Sequence, residues 1–347
     1  MPGTVFSLRG CGNYYPASFL DGLSIPRGAV ARYRGEMGRA FTRRQVMAAA
    51  TAATFATFAS RSARTQVGKT VTPKLTDLGT DLVLIEGAGA HVVALGTADG
   101  VLLVDGGLAE RSAAVTAALA QRWPGRPVKL LFNTNWRDEH VGSNEPALAA
   151  GARVMAHENT KLWLGGDFDV EWENKHYSPR PARMLPNSTF YVSGGVELGG
   201  RRAEYWYLPR AHTDGDVAVF FPDANVLVAS DLLSVGRYPV PDYATGGWIG
   251  GLLAASKALL DKTDGETKIV PATGAVVGRA ELTAQHELCM AVREKAAEAF
   301  HNGMSLKDFV ASQPTAAYDA KWGDPSLFLK LVYKGGFAHL RELGGVI

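Results

Sequence analysis

The stretch "LVLIEGAGAHVVALGTADGVLLVDGG", residues 82–107, constrains the fold more than any other. It holds three short apolar runs split by a Gly-rich turn and by Ala-Asp-Gly, the pattern of consecutive β-strands. A helix follows at once, because the apolar positions of "AERSAAVTAALAQRW" recur at helical spacing. "VKLLFNTN" reads as a strand, "EPALAAG" as a short helix and "ARVMAHENT" as a further strand. "TFYVSGGVELGGRRAEYWYLPRAHT" and "DVAVFFPDANVLVASDLL" are strand and hairpin material. "GLLAASKALLDKT" is a helix and "TKIVPATG" a strand with its exit loop. From about Arg279 onward the pattern is mostly helical. Residues 163–186 show no clean period and read as a long surface loop rich in aromatics, acids and prolines. Strands interleaved with helices imply a single α/β domain over residues 64–347, with a helical tail from about Arg279.

Residues 1–63 read as an address rather than a fold. Arg43 and Arg44 precede Val46–Ala59, an uncharged run rich in Ala and Thr that is too short to span a bilayer. The arrangement resembles a bacterial twin-arginine signal. It predicts a periplasmic or secreted protein with no transmembrane span once the signal is removed. The scattered Gly, Pro and Arg before Met37 make that methionine a candidate translation start.

The formal charge of +2 hides an uneven distribution. Residues 1–63 carry eight arginines against Asp21 and Glu36, a net of +6, which leaves −4 for the body. A mildly acidic body gives no support for a nucleic-acid partner. Two cysteines, Cys11 and Cys289, allow neither a zinc-cysteine site nor a disulfide scaffold. Cys289 falls in a helical pattern and reads as a buried apolar thiol.

Four stretches carry the chemistry: "LLVDGG" (102–107), "NTNWRDEHVGSN" (133–144), "LPRAHTDGDVAVFFPDANVLVASDLL" (208–233) and "KIVPATG" (268–274). Their order and spacing resemble the metallo-β-lactamase fold superfamily over nearly all of residues 75–280. The resemblance implies a four-layer αβ/βα sandwich with the site on loops at one edge of two sheets. It also implies a site for two metal ions, commonly zinc. There, imidazole and carboxylate ligands leave an open position for a water whose pKa the metal lowers. A typical member reads His-x-His-x-Asp-His, then a later His, an Asp and a final His.

This chain departs from that pattern at most positions. Asn135 and Arg137 stand at the first two histidine positions, Glu139 at the aspartate and Thr273 at the final histidine. His140, His212 and Asp231 are kept. Neutral amide oxygen competes poorly with imidazole for zinc. A permanent guanidinium at residue 137 repels an ion, and is expected to pair with Asp231 or Glu139 in the metal's stead. Asp105 is expected behind the ligands, orienting Asn135 or Thr134.

Three readings follow from these residues. One is an ion-paired, metal-free pocket that binds a small molecule or a protein. Another is a hydrolase of an ester, lactone or amide with a single zinc on His140, His212, Asp231 and perhaps Glu139, these carboxylates and His140 being the catalytic candidates. The third is a metal-free hydrolase with His140 or His212 as general base; no Gly-x-Ser-x-Gly supplies a nucleophile. Trp163, Phe168, Trp172 and Tyr177, with Tyr238, Tyr243 and Trp248, gather near the expected mouth and suit a partly apolar ligand. Oligomeric state leaves no trace in the sequence.

Overall fold

A computed structural model describes residues 72–342. The arginine pair, Met37 and Cys11 lie outside them. Strands β1 (Lys74–Gly79), β2 (Leu82–Glu86), β3 (Val92–Thr97) and β4 (Gly100–Val104) form an antiparallel run. β5 (Val128–Phe132) and β6 (Arg153–His157) join it in parallel. After a small hairpin of β7 (Phe168–Val170) and β8 (Lys175–Tyr177), β9 (Ser188–Phe190) closes this first sheet. The second sheet holds β10 (Gly194–Leu198), β11 (Arg201–Tyr207), β12 (Val217–Phe221), β13 (Val226–Ser230) and β14 (Lys268–Pro271), with only β13–β14 parallel.

The helices are α1 (Ser112–Arg122), α2 (Asp138–Val141), α3 (Asn144–Ala149), α4 (Glu158–Gly165), α5 (Ile249–Lys262), α6 (Arg279–His301), α7 (Leu306–Ala311), α8 (Asp319–Trp322) and α9 (Ser326–Glu342). Side-chain alternation sorts them into layers. On β2 and β3, Leu82, Leu84, Val93 and Leu95 face the core shared by the two sheets, with Val219, Phe221, Val226 and Val228 opposite. Their neighbours Val83, Ile85, Val92 and Ala94 face the other way, onto Val115 and Leu119 of α1 and Ala147 of α3. The outer face of the second sheet packs Leu227 and Ala229 against Leu252 of α5, Leu288 of α6 and Phe328 of α9. Sheets buried on both faces need continuous apolar runs, which is why residues 82–104 are so apolar. The result is the expected αβ/βα sandwich with a helical C-terminal extension. Among the described residues no helix is long and apolar enough to cross a membrane.

The segment 163–186 is more ordered than its aperiodic sequence predicts. It contains the end of α4 and the β7–β8 hairpin. Aromatic contacts hold it: Trp136 meets Phe168 and Tyr177 edge-on at centroid distances of 5.2 and 4.7 Å.

Candidate functional site

The first sheet delivers two residues to one edge. β4 ends at Val104, and Asp105 turns the chain with a left-handed φ of 63°. β5 ends at Phe132, and the loop 133–137 leads into α2. Reciprocal amide bonds of 2.9 Å between Asn133 and Asn144 pin that loop. From the second sheet, β13 ends at Ser230, also left-handed at φ 51°, and presents Asp231. Left-handed non-glycine residues cost roughly 1–3 kcal/mol each and persist where surroundings enforce them. The enforcing bonds are present. Thr134 donates its backbone N–H to Asp105 at 2.8 Å, and its hydroxyl lies 2.8 Å from Ser230 Oγ.

His140 sits fully buried between two carboxylates. Its Nδ1 lies 2.8 Å from Asp105 Oδ2 and its Nε2 2.8 Å from Asp231 Oδ2. Where the carboxylates are ionised, each contact is made by an N–H of the ring. Burial opposes a positive charge on the ring, but the carboxylates of Asp105 and Asp231 outweigh it and hold the pKa well above the ordinary histidine value. Asp231 is the mirror case: burial opposes ionisation, yet His140 and His212 hold its carboxyl well below the usual range. Asp231 Oδ2 also accepts the amide N–H of Asn135 at 3.0 Å.

Arg137 does not pair with Asp231 or Glu139 as the sequence suggested. Its guanidinium turns away and bonds Asp242 Oδ2 at 2.9 Å and Glu173 Oε1 at 2.5 Å. Trp136 and Trp172 supply aromatic faces at 4.6 and 5.1 Å from its Cζ. The reason is competition for acceptors: Asp231 is already committed to His140 and Asn135, whereas fully buried Asp242 needs a cation. Asp242 also accepts from Trp172 Nε1 at 2.6 Å and Thr245 Oγ1 at 2.6 Å. Arg137 thereby ties together the 133–144 loop, the β7–β8 hairpin and the loop before α5. Asp242 and Glu173 were not singled out in the sequence, since both fall in aperiodic segments.

His212 lies in the loop between β11 and β12. Its Nδ1 lies 2.5 Å from the carbonyl of Val240, an acceptor, so Nδ1 carries the proton. Its Nε2 lies 3.9 Å from Asp231 Oδ2. The carbonyl of His212 accepts the N–H of Asp242 at 2.8 Å. A cavity of about 130 Å³ opens over Asp231 and His212, bounded by Arg137, Glu139, Trp172 and Arg237. Half-buried Thr273 follows Ala272, whose N–H bonds Ser230 and whose carbonyl accepts the N–H of His91. Asp105 orients Thr134 and His140; Asn135 is oriented instead by Asp231 and by the Arg137 N–H at 2.9 Å. His157 stacks on Tyr207, and exposed His176 pairs with Asp167 and Asp169; neither lines the cavity.

Asn135, Arg137 and Thr273 stand at three of the family's histidine positions, which leaves few of the usual metal donors. Zinc takes deprotonated imidazole nitrogen and free carboxylate lone pairs at about 2.0–2.2 Å. Both nitrogens of His140 face carboxylates at 2.8 Å, and Asp231 Oδ2 lies within hydrogen-bond distance of His140 Nε2 and Asn135 Nδ2. Asn135 has spent its carbonyl on the Arg137 backbone. Among the described residues, no cluster of three or more His, Cys, Asp or Glu is arranged to hold a metal ion.

Comparisons place the chain and its fold among known proteins. Residues 86–275 match the family model described as the metallo-beta-lactamase superfamily. Over 114 residues the chain is 28% identical to a hydroxyacylglutathione hydrolase of Synechococcus sp. (strain JA-3-3Ab). That match spans 32% of this chain and 37% of the relative's length. A metallo-beta-lactamase from Pontibacter korlensis superposes with a TM-score of 0.50 at 19% identity, covering 63% of this chain and 99% of that one. The sec-alkylsulfatase Pisa1 from Pseudomonas sp. superposes with a TM-score of 0.59 at 15% identity, covering 79% of this chain and 55% of that one. Likeness at such identities speaks for the fold.

Proposed function

The chain belongs to the metallo-β-lactamase superfamily, and from that premise we propose a member that has exchanged its metal centre for an ion-paired network and binds a small molecule in the cavity above it. The single observation that carries this reading is Asp231 Oδ2. It accepts the N–H groups of His140 at 2.8 Å and of Asn135 at 3.0 Å, where the family's bridging carboxylate would hold metal. The imidazolium of His140 supplies the positive charge that an ion otherwise brings between Asp105 and Asp231. Arg137 supplies a further cross-link, joining the 133–144 loop to the β7–β8 hairpin and to the loop before α5. Elemental analysis of protein grown with added zinc tests the reading. Well below one equivalent per chain is expected, with no change of melting temperature in chelator; one tightly held equivalent overturns it.

A second reading keeps a single ion between His212 Nε2 and Asp231 and retains hydrolysis of an ester, lactone or amide. One observation favours it: the 3.9 Å separation of those atoms is near the roughly 3.4 Å that two tetrahedral zinc ligands adopt. Zinc loading that His212→Ala abolishes would select this reading.

The same proposal includes export to the periplasm or beyond, supported by the Arg43–Arg44 pair before an apolar run. Replacing both arginines by lysine is expected to leave the protein in the cytoplasmic fraction.

A further inference from the structure

A larger cavity lies away from the site, where the N-terminus of α5 meets the second half of α6 and α9. It measures about 560 Å³, within the range of small-molecule sites. Trp248, Ile249, Phe300, Val332, Phe337 and Leu340 give it apolar walls. Its construction is costly, which argues against a chance dent. Gly335 and Gly336 sit adjacent in the middle of α9, where each glycine costs about 1 kcal/mol relative to alanine. At Gly336 the reason is visible: a Cβ there would lie 2.5 Å from Cε2 of Phe300. The glycine lets the Phe300 ring seat against the helix backbone and form one wall. On the facing side Trp248 stacks on His339 at 3.7 Å.

The rim carries charge. Arg293 and His301 of α6 border the cavity along one row at i and i+8, with Ala297 between them, and Glu294 lies one position round the helix. Arginine brings five donors and no acceptor, in a fork that matches a carboxylate or sulfonate. A concave volume of this size takes a molecule of a few tens of heavy atoms.

We propose that this cavity is a second binding site, for an amphipathic organic anion whose apolar body lies between Trp248, Phe300 and Phe337 and whose acid group meets Arg293. It is independent of the Asp231 cavity and takes no part in the network around His140.

Titration with anilinonaphthalene sulfonate, an aromatic anion that fluoresces in apolar surroundings, tests this. The folded protein is expected to bind one equivalent saturably. Arg293→Glu should weaken binding about tenfold, the worth of one charged hydrogen bond. Ala297→Trp, which adds bulk from an exposed helix position without disturbing the core, should abolish it while leaving the melting temperature unchanged. Dodecanoate should compete and dodecylamine should not. Absence of saturable binding, binding that survives Ala297→Trp in the folded variant, or displacement by the amine in preference to the acid overturns the proposal.

Discussion

Arg137 is buried, doubly ion-paired and flanked by two indoles. Replacing it with methionine keeps much of the apolar contact but leaves the carboxylate of Asp242 buried without its cation. Losing one partner of a buried pair costs about 3–5 kcal/mol, so chemical denaturation of Arg137→Met should show a loss of that order. The Arg137→Met, Asp242→Asn double variant should recover part of it, since no buried charge is left alone. Asp216 gives a pH test. Burial pushes its carboxyl up to about 7, against the bonds it accepts from Thr213. A folded-state pKa above the unfolded value means the native state holds the extra proton. Stability from this group therefore falls as pH rises from about 4 through about 7, by on the order of a few kcal/mol. Asp216→Asn should flatten that part of the stability–pH curve. At this scale the sequence was legible where residue type alone decides: His140, His212 and Asp231 meet as their motifs imply. The partners of Arg137 were not legible, because Glu173 and Asp242 stand 36 and 105 residues away in segments without period.

Elements with both faces buried announce themselves through unbroken apolar runs, and β2 to β5 and β13 were readable for that reason. The β7–β8 hairpin was not, since its three-residue strands are held by Trp136 and Arg137 from another part of the chain rather than by a pattern of their own. The reading of Cys289 as a buried thiol in a helix holds. It is buried in α6, and burial pushes its thiol up to about 12. Iodoacetamide should therefore leave native protein unlabelled and modify Cys289 only in denaturant, as mass spectrometry can follow. After α7, exposed Gln313 turns the chain at φ 50°. Gln313→Gly relieves that left-handed strain, and thermal denaturation should show a gain of about 0.5–1 kcal/mol.

Among the described residues the apolar side chains gather in four clusters: one between the sheets, one on each outer face and a smaller one around Trp136. On the metal-free reading, global unfolding should be indifferent to chelators. The layer order was legible from the alternation of strands and helices, and an ion-paired pocket was among the readings of the motif; which carboxylates pair with Arg137 was not legible, because that depends on which acceptors remain unclaimed once the chain has folded. The Arg137 clamp also bears on how such a protein could change over generations. On the reading proposed above, a return to the family's pattern would need histidines at residues 135, 137 and 273, and Arg137→His would surrender the bonds to Glu173 and Asp242 at the first step. On that reading the clamp makes each single step toward the pattern cost stability before an ion could repay it.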